Sequence, residues 1–165
     1  MPGRPVATDR SIAGLFNVRL GPQYATLLIG GADEPLYLPA RCRERALLRY
    51  TRDYARSALH ELAHWSLAGA RRRGLVDFGY WYSAPPRSDA EQAKFFAAEL
   101  RVQALERQFC EVCGLAFQVS ADNIGVDASD FAAQVEDAAG AWSMRGVTGL
   151  PGRLLRLLAD GVAHG

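Results

Sequence analysis

The stretch Ser57-Ala-Leu-His60-Glu61-Leu-Ala-His64-Trp65 decides how this chain is read. It contains His-Glu-x-x-His. On a helix the two imidazoles stand at i and i+4, one turn apart on the same face. That spacing lets two neutral ring nitrogens bind one metal ion and sets the carboxylate of Glu61 beside it. The flanks favour a helix. Residues Tyr54 to Leu67 contain no Gly or Pro and are rich in Ala and Leu, and Gly69 is a natural stop. The chain has three histidines in all, and two of them lie in this motif.

Upstream, Pro2, Gly3, Pro5 and Asp9 make residues 1–10 a loose arm, and Ser11 to Asn17 a short helix packing Ile12, Leu15 and Phe16. Tyr24 to Ile29 reads as a strand. Gly30-Gly31 through Pro35 reads as a turn, and Leu36-Tyr37-Leu38 as the returning strand of a hairpin. Arg45 to Tyr50 suits either the metal helix extended backwards or a short strand leading into it; the strand is preferred, with the helix starting near Thr51 or Asp53, either of which is a good N-cap.

Downstream, Leu75 to Tyr82 is aromatic and strand-like, and Ser83 to Arg87 is a loop. Ser88-x-x-Glu91 is a capping box that opens a helix running to about Cys113, closed by Gly114. Leu115 to Val119 reads as a short strand. Helices follow over about Ser129 to Ala139 and Arg153 to Ala159. These elements predict one α+β domain over residues 1–165, with the metal site on helices packed against a small β-sheet.

A catalytic metal with open positions needs a third protein ligand. The acidic candidates are Asp77, Glu91, Glu99 and Glu106, with His164 near the end of the chain. Glu99 is the best of these. It sits mid-helix among Phe95, Phe96 and Val102, where an uncompensated carboxylate would be costly and a metal would remove that cost. The alternative is an ion pair with Arg71 or Arg101. With zinc, the set His60, His64, Glu99 matches a gluzincin-type metallopeptidase in which Glu61 is the general base. With iron(II) it leaves adjacent positions for dioxygen, as in a non-haem oxygenase. A metal-stabilised binding module without catalysis is a third reading. Ligand identity alone does not choose among them.

Composition narrows the rest. The chain is 49% apolar and 22% charged with a net charge of +1, a globular balance that asks for neither nucleic acid nor an anionic membrane. No apolar run approaches the roughly 20 residues that span a bilayer, and the first residues lack a signal-peptide apolar core, so a cytoplasmic location is expected. Cys42, Cys110 and Cys113 are an odd number. The C-x-x-C at 110–113 falls in a helical pattern without a second pair and reads as two reduced, partly buried thiols.

Several longer stretches together resemble the elongation factor P hydroxylases. They are Asp33-Glu-Pro-Leu-Tyr-Leu-Pro-Ala40, Ala58 to Gly69 with Arg72-Arg73, Leu75 to Tyr82, Ala98-Glu-Leu-Arg-Val-Gln-Ala-Leu105 and Phe117 to Asn123. The resemblance covers about Tyr24 to Asp127. It implies a metal-dependent hydroxylase that uses dioxygen and acts on the lysylated lysine of translation elongation factor P. It also implies a fold unlike the usual 2-oxoglutarate oxygenase barrel. Carried over by position, the implied metal ligands are His60, His64 and Glu99, with Glu61 beside the metal as an acid/base or supporting group. Iron(II) is the implied metal, with zinc(II) able to occupy the same ligands in purified protein. Tyr80, Tyr82 and Arg71 are the candidate substrate contacts. The chain departs from the family pattern at Ala84-Pro-Pro-Arg87 and at Val102 before Gln103, neither of which is a proposed ligand.

Overall fold

The computed structural model describes residues 6–40 and 44–163. The chain begins with α1 (Asp9–Arg19), whose N-cap Thr8 makes a reciprocal capping box with Ser11. The loose arm expected over residues 1–10 therefore lies partly outside the described residues, at 1–5, and gives way to ordered chain by Ala7. Ala7 is buried, and its N–H donates to the carbonyl of Cys113.

Three strands form one sheet: β1 (Thr26–Ala32), β2 (Leu36–Leu38) and β3 (Ala46–Thr51). The order is β1-β3-β2, with β1 parallel to β3 and β2 antiparallel to it. The predicted β1–β2 hairpin is thus corrected: β3 lies between the two. Gly30 and Gly31 are not a turn but an irregularity inside β1, where the register shifts between Ile29 and Ala32. A Cβ on Gly30 would stand 2.7 Å from the Tyr50 ring, and Gly31 has φ +84°. Both positions thus require glycine for packing or backbone reasons.

The two sheet edges are closed by side chains rather than by further strands. On β1, Asn17 of α1 donates to the Leu28 carbonyl (2.9 Å) and accepts from the Leu28 N–H (2.8 Å). On β2, the Asp77 carboxylate accepts the Tyr37 N–H at 2.8 Å. Phe78 stacks on the Tyr37 ring, with centroids 4.2 Å apart. This explains why Leu75 to Tyr82 is not the strand its aromatic content suggested. Serving β2 from Asp77 and Phe78 folds the segment into tight turns, with φ +47° at Asp77, +58° at Phe78 and +71° at Gly79.

The metal-motif helix is α2 (Ala55–Leu67). Its N-cap is Tyr54 rather than Thr51 or Asp53, because residues 51–54 form a turn with Arg52 at φ +47°. Ala58, Leu59, Leu62, Ala63 and Trp65 are fully buried, which makes α2 the central helix. It packs against α3 (Asp89–Cys113), which opens with the predicted Ser88/Glu91 capping box and ends at Gly114 in the left-handed conformation. Two helices complete the chain: α4 (Ser129–Arg145), which continues past the expected end at Ala139, and α5 (Gly149–Ala163), longer than expected at both ends.

One main core joins Ile12 and Phe16 of α1, Leu28 and Leu48 of the sheet, α2, the inner face of α3, and Leu154 and Leu158 of α5. A smaller cluster joins α3 to α4 through Ala104, Phe131, Val135 and Ala139. The result is the expected α+β domain with a small sheet. Residues Leu115 to Val119 are not a strand. Side chains capture the backbone of this stretch and its continuation: Gln103 bonds the Ser120 carbonyl and N–H, and Gln92 the Ala121 carbonyl. Cys110 and Cys113 are buried thiols not joined in a disulfide, and burial pushes Cys110 up to about 12. Cys42 and His164 lie outside the described residues.

Asn17→Ala removes both hydrogen bonds that close the β1 edge. It should lower unfolding stability by about 1–3 kcal/mol, read from urea denaturation followed by circular dichroism. The buried Cys110 thiol should resist alkylation in the folded protein and react at normal rates once urea unfolds it, as mapped by peptide mass spectrometry.

Candidate metal centre

The face of α2 that carries His60 and His64 meets the face of α3 that carries Glu99, Gln103 and Glu106. These three recur at i, i+4 and i+7 and are 2%, 1% and 3% exposed. Three polar side chains so deeply buried on one helix face must have partners. The Glu99 carboxylate lies between the two imidazoles, with Oε1 3.1 Å from His64 Nε2 and Oε2 3.5 Å from His60 Nε2. One ligand atom from each of the three residues falls within 4.8 Å of the other two. Helix pairing thus converges the donors that the sequence had placed 35 positions apart, from His64 to Glu99.

Each donor has its own support. His60 Nδ1 is 2.8 Å from Glu106 Oε2, which fixes the ring and leaves Nε2 facing Glu99. Glu106 is steadied in turn by Arg56, which also donates to the Gln118 carbonyl. Glu99 accepts from the Tyr82 hydroxyl at 3.0 Å. A more distant contact runs from the Gln103 amide. His64 is held differently. Its Nδ1 is buried with no hydrogen-bond partner among the described residues, while the ring lies nearly parallel to Phe78 and edge-on to Tyr80. The strained turn at 77–79 that closes the sheet edge therefore also positions a histidine of the site.

The electrostatics favour positive charge here. Burial alone would drive the proton off His60. The Glu106 hydrogen bond and the charges of Glu99, Glu106 and Glu61 outweigh burial and hold its pKa up to about 10. Burial likewise opposes ionisation of Glu99. The His64 hydrogen bond, both histidine charges and the Tyr82 hydroxyl prevail and pull it down to about 2. Glu61 shifts upward, first through burial and then through repulsion by Glu99 and Asp77, with His64 and His60 acting against the shift. Tyr82 also shifts upward, from burial and the adjacent Glu99 charge. The donor set therefore fits a divalent metal: two imidazole nitrogens and an ionised carboxylate converge where positive charge is most favoured.

Above these donors opens a cleft of about 1380 Å³. Glu61, Tyr80 and Tyr82 are among the residues that line it. Arg71 does not: it is exposed on the helix-to-turn connection, outside the lining. The neighbouring Arg72 instead lies over the Tyr80 ring at 4.4 Å. Glu106 had been only one acidic candidate among four, and its role in orienting His60 was missed. Its position seven residues after Glu99 on a buried face was the signal.

Fold and site define a protein with a two-histidine, one-carboxylate donor set, suited to a metal ion, between paired helices and open to a cleft on one side. Comparison with known proteins gives the family. The family model described as elongation factor P hydroxylase matches residues 15–162, and the chain belongs to that family. It is 41% identical over 120 residues to the elongation factor P lysine hydroxylase of Haemophilus influenzae, covering 72% of this chain and 67% of that protein. Membership does not favour the metallopeptidase alternative.

Two outcomes follow for metal binding. Glu106→Gln should weaken affinity for a divalent metal about 10- to 100-fold while the domain stays folded, measured by competition with a chromogenic chelator. Metal and proton compete for His60, so loading near neutral pH should release protons and tighten as pH rises. Titration calorimetry in buffers of different ionisation enthalpy reads the proton count.

Proposed function

We propose that this chain is a metal-dependent hydroxylase of the lysylated lysine of elongation factor P, with iron(II) held by His60, His64 and Glu99 and dioxygen as co-substrate. The observation that carries the reading is convergence of those three donors at the floor of an open cleft, in a chain of this family. The reaction inserts one oxygen atom into a C–H bond of the modified side chain. The other leaves as water, with two electrons drawn from a reductant.

Iron(II) bound here would supply oxygen activation, which two histidines and one carboxylate permit by leaving adjacent positions free. The chain's own residues do the rest. Glu106 fixes the His60 ring, and the Tyr82 hydroxyl and Gln103 amide hold Glu99, so the donor set is preorganised. Phe78 and Tyr80 wall the His64 side and limit water there. Glu61 lines the cleft beside both histidines without a hydrogen-bond partner among the described residues, and is placed to accept or return a proton next to the metal. Tyr80 lines the cleft where an alkyl side chain would enter. A soluble translation factor as substrate supports a cytoplasmic location. Among the described residues, no helix is long and apolar enough to cross a membrane.

The test is intact-mass analysis of lysylated elongation factor P after incubation with anaerobically iron-loaded protein, reductant and air. The expected result is a gain of one oxygen atom, lost in His60→Ala, His64→Ala and Glu99→Ala. Cleavage of the factor instead of oxygen gain would return the zinc-peptidase reading. Binding of the factor with no covalent change would leave a metal-stabilised binding module.

A further inference from the structure

The cleft differs in charge from the chain around it. The whole chain has net charge +1, yet the cleft is lined by seven carboxylates and two guanidiniums. Both guanidiniums are engaged within the protein: Arg56 with Glu106 and the Gln118 carbonyl, Arg87 with Asp122 and the Ser83 carbonyl. Glu99 and Glu106 serve the metal centre, and Asp122 serves Arg87. The remaining carboxylates are Glu34, Asp53, Glu61 and Asp77.

Two of these single themselves out. Glu61 is 7% exposed, faces the cleft, and makes no hydrogen bond or ion pair with another described residue. A carboxylate so deeply buried without a donor calls for a cationic or hydrogen-bonding ligand. Asp77, on the exposed side of the cleft, uses Oδ1 for the Tyr37 N–H, which leaves its other oxygen free to meet a ligand. It is held there by consecutive left-handed residues, Asp77 and Phe78, a conformation that costs backbone energy and recurs at ligand-binding positions. Glu34, three residues before Tyr37, continues the same wall to the exposed mouth. Aromatic side chains complete the lining: Tyr54, Tyr80, Tyr82 and the 87% exposed Trp81. Carboxylates beside the exposed rings of Tyr54 and Trp81 form a receptor for an alkylammonium group.

We infer that Glu61 and Asp77, with Glu34 at the mouth, form an ammonium subsite that recognises an amino group of the lysyl extension and so selects the lysylated over the unextended lysine. This rests on the hydroxylase reading for the identity of the substrate. The subsite itself is carried by the charge and geometry of the cleft. Asp77 acts as a specificity residue, and the aromatic rings accommodate the methylene chain.

Asp77→Asn is the discriminating variant. Asparagine tolerates the left-handed conformation and its carbonyl still accepts the Tyr37 N–H, so only the charge is removed. The whole metal-loaded protein is titrated anaerobically with elongation factor P carrying either a lysyl or a hexanoyl extension, the latter having the same carbon chain without amino groups. Asp77→Asn should bind the lysyl form about tenfold more weakly and the hexanoyl form unchanged, with KM for the lysyl form rising similarly and kcat little altered. Glu34→Gln should show the same selectivity with a smaller loss, and serves as the second variant if Asp77→Asn does not fold. Equal losses for both extensions, or no loss, would overturn the subsite. Oxygen gain by wild type together with that result would leave the hydroxylase reading standing. Selective loss without oxygen gain would uphold the subsite and overturn the hydroxylase reading.

Discussion

The structure turns on one buried charge. Glu99 is 2% exposed in the interface between α2 and α3, ionised, with an imidazole against each oxygen. An isolated carboxylate in that position would be strongly destabilising, so the two helices can pack as they do only with positive charge between them. A proton on His60 can supply part of it, and a divalent metal on the same donor atoms supplies it better. The apolar packing of α2, with Leu59, Leu62 and Trp65 fully buried, holds the helices close enough for this compensation to be required.

From that constraint the supporting residues follow. Glu106, Gln103 and Tyr82 each spend a polar group on fixing a donor, and Arg56 steadies Glu106. The sheet contributes indirectly. Its β2 edge is closed by Asp77 and Phe78, and the turn that brings them there also lays Phe78 along the His64 ring. Fold closure and site geometry thus share one strained segment, so substitutions at Asp77 and Phe78 report on both unless charge and shape are separated.

Much of the site was legible in the sequence because its signals are local. The i, i+4 spacing of His60 and His64 depends only on helix geometry, and Glu99 stood out as a carboxylate on an apolar helix face. The second helix was equally legible from Ser88, Glu91 and Gly114, since capping chemistry acts within one turn. What failed was non-local. Gly30-Gly31 has the composition of a turn, and only the Tyr50 ring packed over Gly30 reveals a strand irregularity. Leu75 to Tyr82 has the composition of a strand, but Asp77 and Phe78 satisfy β2 with side chains instead of backbone. Insertion of β3 between β1 and β2 is likewise a pairing choice that no single stretch encodes. Arg71 was singled out from a run of three arginines, and the packing of Arg72 over Tyr80 cannot be read from such a run.

The central claim is that His60, His64 and Glu99 together hold one metal ion. Crystals grown from protein loaded anaerobically with iron(II), with data collected at the iron edge, test it most directly. A single anomalous peak is expected about 2.0–2.2 Å from both Nε2 atoms and a Glu99 oxygen, with Glu106 still bonded to His60 Nδ1. A peak that excludes Glu99, or iron held elsewhere while Glu99 stays paired to the two imidazoles, would contradict it.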